Sequence, residues 1–109
     1  MNGYGNSVFL RTAFEVSSGA PVNTVAPAIT GTAQNGETVT SSKGIWTGTL
    51  PITYAFQWKR DNVNITLNGQ MQSYKLVNAD VGTNITCQVT ATNSFGSASA
   101  ISNTIIPIP

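Results

Sequence analysis

The sequence predicts an all-β protein: a Greek-key β-sandwich of about seven strands, preceded by an extended N-terminal arm. The first sign is period-two alternation, clearest where Ile85, Cys87, Val89 and Ala91 interleave with Thr86, Gln88, Thr90 and Thr92. Such alternation marks a strand with one buried face. Turn signals are the second sign: Asn35-Gly36, Asn68-Gly69 and Asn93-Ser-Phe-Gly96 punctuate short apolar runs. Strands separated by turns every ~8–12 residues fit a Greek-key sandwich. Third, the chain is rich in Thr, Ser, Asn, Gly and Ala, and only 8% of its residues are charged.

Met1 to about residue 26 reads as arm and linker, and 27–109 as the sandwich with a short apolar tail. Within the arm, Val8, Leu10, Thr12, Phe14 and Val16 share one face if Ser7 to Val16 is extended. Phe9, Arg11, Ala13 and Glu15 share the other. β-Branched and aromatic residues favour strand over helix there. Tyr4, Val8, Phe9, Leu10, Phe14 and Val16 are the candidate partner-binding residues, because exposed side chains of this size each gain ~1.5–3 kcal/mol on burial. Two alternatives stay open: a frayed terminus, or a strand folded back on its own sandwich. Ser17 to Pro27 has linker composition.

Ile29 opens a short first strand and Glu37 to Ser42 a second, with Val39 buried. Gly44 to Gly48 reads as a compact crossing loop that sets Trp46 as a plug over one end of the core. In Thr53 to Arg60, Tyr54, Phe56 and Trp58 alternate with Ala55, Gln57 and Lys59 and form an aromatic wall. Asn64 to Thr66 suits an edge strand, and Ser73 to Val77 another, with Leu76 facing inward. Asp80 and Gly82 make a corner in which an acid accepts backbone N–H groups and a glycine takes positive φ. The long strand with Ile85, Cys87 and Val89 follows, and Ser97 to Ser102 closes the second sheet. Two prolines bar the tail, Asn103 to Pro109, from a central strand.

An enzyme is hard to build from these residues. There is no histidine to serve as general base. The four acids, Glu15, Glu37, Asp61 and Asp80, fall in separate elements. Cys87, the single cysteine, sits on an apolar strand face, so no intrachain disulfide forms and the thiol is expected to be inert. No residue cluster suits a metal, and neither cofactor nor metal is expected. Asn64-Ile-Thr66 and Asn84-Ile-Thr86 match the glycosylation pattern by chance in a chain this rich in Asn and Thr. A net charge of +1 argues against nucleic acid or an anionic membrane. No apolar run approaches the ~20 residues a membrane helix needs, and the start makes a poor signal peptide.

Trp58, Asp80-x-Gly82 and Cys87, which matches the second cysteine, together resemble the immunoglobulin-like pattern, with no cysteine on the second strand, where Val39 is the nearest apolar candidate, and with Ile85 where the corner tyrosine would stand. The sequence is more closely similar to bacterial and bacteriophage immunoglobulin-like modules. The resemblance rests on Pro27 to Ala33, Gly36 to Thr40, Gly44 to Gly48, Tyr54 to Arg60, Asp80 to Gly82, Val89 to Asn93 and Gly96 to Ala100. It implies a non-catalytic display unit: a virion structural protein, expected to be a capsid decoration or cement protein held by its arm to the major capsid protein or another virion protein. Copies of itself are a further possible partner, and weak binding of cell-surface glycans is an accompanying expectation. A tail or neck accessory protein is one alternative. A carbohydrate-binding adhesion module using Trp46, Tyr74 and the loop polar groups is another.

Overall fold

A computed structural model describes residues 19–109; the arm residues Tyr4, Val8, Phe9, Leu10, Phe14 and Val16 lie outside them. The described chain is all-β, compatible with a β-sandwich, with one 3-10 turn at Asn78–Asp80. Its strands are β1 (Val22–Val25), β2 (Ile29–Thr30), β3 (Thr38–Ser41), β4 (Ile45–Thr47) and β5 (Thr53–Arg60). They continue with β6 (Val63–Asn64), β7 (Ser73–Lys75), β8 (Ile85–Asn93) and β9 (Gly96–Ile101).

All strand pairs are antiparallel. Order β2-β3-β7 makes one sheet, β6-β5-β8-β9 a second, and β1-β4 a separate ribbon. The central pair, β5 with β8, runs in register from Thr53↔Thr92 to Arg60↔Ile85. At ~3.3 Å per residue it separates the two ends of the molecule by about 25 Å.

Two stretches differ from the sequence reading. The segment of linker composition contains β1, and the Gly44–Gly48 loop contains β4, the strand β1 pairs with. Neither is hydrophobically periodic, so only cross-strand pairing defines them. Asn23 reinforces the pair, its Nδ2 donating to the Val25 and Ile45 carbonyls at 2.8 and 3.2 Å.

The core joins the two larger sheets. Ile29, Val39, Tyr74 and Leu76 meet Trp58, Ile65, Ile85 and Cys87, all buried. Val89 and Ala91 are buried as well. The indole of Trp58 stacks on Tyr74 with ring centres 5.6 Å apart, and its Nε1 donates to the Met71 carbonyl at 2.7 Å. A buried indole N–H thus finds its acceptor.

Two members of the expected aromatic wall are only half-buried, Tyr54 and Phe56. Strand β5 is eight residues long, whereas the strands facing it have two, four and three. They cover its Trp58 end, and the aromatic face runs out toward solvent. Trp46 is likewise half-buried and lies outside the buried cluster, 6.4 Å from the Tyr54 ring. It is a rim residue, not a plug.

The tail docks on an edge, where its prolines are harmless. Ile105 bridges Ile85, Ile108 bridges Gln34, and the Pro107 carbonyl accepts the Gly82 N–H at 2.9 Å.

Candidate interaction surface

Asp80 is fully buried and every oxygen of its carboxylate is occupied. Oδ1 accepts from Arg60 Nε and Nη2, each at 2.7 Å. Oδ2 accepts the Tyr74 hydroxyl at 2.7 Å and the Val77 N–H at 2.9 Å. The 3-10 turn brings Asp80 back over Val77, and Gly82, at φ 77°, turns the chain into β8. Burial, reinforced by the neighbouring carboxylate, pushes the Tyr74 phenol up to about 12. Arg60 is held charged: burial alone would lower its pKa, but the Asp80 carboxylate outweighs it and the net direction is up. A carboxylate with four donors has no lone pair free for proton transfer. This cluster is a clamp between strand ends, with the geometry of a structural joint.

Sequence reasoning placed Asp80 at a corner but missed both partners. A signal for Arg60 existed. The alternation that turns Trp58 inward also turns Arg60 inward, and a charge on a core-facing register needs an opposite charge.

Cys87 is buried, and burial pushes its thiol up; the Ser41 hydroxyl and the Gln57 backbone pull weakly the other way. A protonated, enclosed thiol is a poor nucleophile. Its neighbour across the sheets is thus Ser41, also buried, where the sequence suggested Val39 as the residue standing in for a second cysteine. Among the described residues no group of three or more Cys, Asp or Glu side chains could hold a metal, and no buried side-chain polar atom lacks a partner.

What the surface offers is contact area at the end where residues 1–18 join. Gly19 and Thr49 exchange bonds: the Gly19 N–H donates to Thr49 Oγ1 at 2.8 Å, and the Thr49 N–H to the Gly19 carbonyl at 3.0 Å. Asn93 locks this contact, its Nδ2 donating to the Gly19 and Thr49 carbonyls at 2.8 and 2.9 Å. Its Oδ1 accepts the Phe95 N–H at 2.9 Å and so sets the β8–β9 turn. On either side of the clasp stand Leu50 and Phe95, 79% and 64% exposed. The segments that build this end, 19–21, 47–53 and 92–97, carry no charged residue. Asn93 was legible as a turn former, but its clasp joins residues 74 apart in sequence.

Two further features lie elsewhere. Lys43 Nζ sits 4.7 Å from the centre of the Tyr54 ring, a cation–π contact beside Trp46. At the opposite end, a crevice of about 390 Å³ opens between the loop after β6 and the β7 edge, with Arg60 and Tyr74 at its base. Tyr74 is buried, so it provides no exposed platform for a sugar ring. Comparison with family models, with curated proteins and with solved structures found no match to the chain.

Proposed function

We propose that this chain is a non-enzymatic bacteriophage virion structural protein, a capsid decoration protein. Its immunoglobulin-like sandwich stands outward, and the part of the arm ahead of Gly19 anchors it to the major capsid protein, since β1 within the expected arm pairs with β4. The strand orders β2-β3-β7 and β6-β5-β8-β9 support the immunoglobulin-like Greek key.

One observation carries the attachment reading: the exposed, uncharged end with Leu50 and Phe95 is the end at which the apolar arm joins. Arm and sandwich then present one continuous apolar anchor, with Lys43 over the Tyr54 ring as a nearby charge, while Glu37, Arg60, Asp61, Lys75 and Asp80 belong to strands and turns toward the far end. An extended arm of ~18 residues spans on the order of 60 Å, enough to cross a subunit boundary, and alternation suits it to adding a strand at a neighbour's sheet edge. Many copies on a symmetric shell tolerate weak single contacts.

The test is co-sedimentation with capsids of the phage that encodes the chain. Full-length protein, a Phe9→Ser/Phe14→Ser variant and a Leu50→Ser/Phe95→Ser variant are compared, each checked by circular dichroism. Binding by the wild type and loss in both folded variants is the expected result. Equal binding by all three would refute the anchor, and no binding by the wild type would refute the capsid location.

A further inference from the structure

The crevice at the far end has a chemistry of its own. Its floor is the Arg60 guanidinium, 32% exposed. Asp80 engages Nε and Nη2, and the Tyr74 hydroxyl also lies against the guanidinium, so only part of its five-donor fork is left to face the crevice. Lys75 adds a second cation to the lining, and it forms no ion pair among the described residues. No acidic side chain is among the lining residues: Asp80 is fully buried behind Arg60 with all its acceptor positions filled, while the exposed Asp61 follows Arg60 in the chain and the exposed Glu37 adjoins Thr38, the strand partner of Lys75. The lining itself therefore carries two cations and no carboxylate.

The opposite wall is a loop built to stay in place. Gln57 Nε2 donates to the Ile65 and Gly69 carbonyls at 3.0 and 3.3 Å, and the Trp58 N–H to Gly69 O at 2.7 Å. Ile65 is buried as the loop's anchor. That fixed backbone displays the side chains of Asn64, Thr66 and Asn68, all exposed and lining the crevice. Two amides and a hydroxyl alternate donor and acceptor groups, which suits vicinal hydroxyls, while paired cations suit a carboxylate. A volume of about 390 Å³ lies at the small end of ligand cavities, sized for roughly one sugar ring.

We infer that this crevice binds an acidic monosaccharide unit, its carboxylate against Arg60 and Lys75 and its hydroxyls against Asn64, Thr66 and Asn68. A peptide is the weaker fit. Strand β7 is three residues long, and of its edge positions only Lys75 lies within the crevice. This site is separate from the proposed anchor, at the end turned away from it, and does not depend on the capsid reading.

The experiment is an NMR titration of the full chain with glucuronate, glucose, acetate and an acidic tripeptide in parallel. Saturable shifts confined to residues 64–68 and 75–77 with glucuronate, weaker ones with acetate and none with glucose are expected. Lys75→Gln, an exposed change, should weaken glucuronate binding roughly tenfold, the scale of one charged hydrogen bond. Asn64→Ala should weaken glucuronate while leaving acetate unchanged. Absence of saturable shifts with glucuronate overturns the site. Equal affinity for acetate and glucuronate overturns the saccharide class, as does tighter binding of the tripeptide.

Discussion

Replacing Asp80 by alanine should be among the most damaging single changes in the described chain, and its cost can be worked from its contacts. The Tyr74 hydroxyl would lose its acceptor in a buried position, at about 1–3 kcal/mol. The Val77 N–H would lose one partly buried bond, at about 0.5–1.5 kcal/mol. Arg60 is one-third exposed and can rehydrate, so its share is discounted to about 1 kcal/mol or less. The total is about 1.5–5.5 kcal/mol, a span that includes the ~3–5 kcal/mol seen when one partner of a buried pair is removed. Against a domain stability of about 5–15 kcal/mol, that lowers Tm by roughly 6 °C at the low end and by more than about 20 °C at the high end. Urea denaturation followed by fluorescence, with Trp58 as buried reporter, gives the value. Tyr74→Phe alone should cost about 1–2 kcal/mol. In the double variant the two costs should fall short of additive by about 1 kcal/mol, because both remove the same bond. A loss below ~1 kcal/mol for Asp80→Ala, or full additivity with Tyr74→Phe, would refute the clamp.

Three further outcomes are expected. Because Tyr74 holds its proton up to about 12 in the folded state against an ordinary value near 10, the folded state binds that proton more tightly; stability is complete below pH ~10 and falls as pH rises toward 12. Denaturation midpoints across that window should decline in the wild type and decline less steeply in Tyr74→Phe. Ser41→Cys should form a disulfide with Cys87 on oxidation, closing a loop of roughly 45 residues and adding up to about 4 kcal/mol; loss of reactive thiol and a raised Tm are the readouts, and a free thiol after oxidation would mean the side chains are not adjacent. Gly69→Ala should destabilise by about 1–3 kcal/mol, because a Cβ there would fall on the Ile65 carbonyl oxygen, although the glycine's φ is not positive; a urea midpoint unchanged from wild type would count against the close approach.

The sequence by itself determined the strands whose burial is periodic. Alternation in Ile85–Asn93 and Thr53–Arg60 needs no partner to be read, because side chains in an extended chain must point to opposite faces. Turn chemistry at Asn68-Gly69 and Asp80 to Gly82 was legible for the same local reason. The tertiary structure alone decided the rest. Strands β1 and β4 exist because each is the other's hydrogen-bond partner, and nothing periodic marks them. Tyr54 and Phe56 stop short of full burial because the facing strands are too short to cover them, a property of the other sheet. Arg60, Tyr74 and Asp80 meet only when three separate elements converge, and Asn93 finds Gly19 across nearly the whole described chain. Local rules set which way a side chain points; the packing of sheets sets what it meets there.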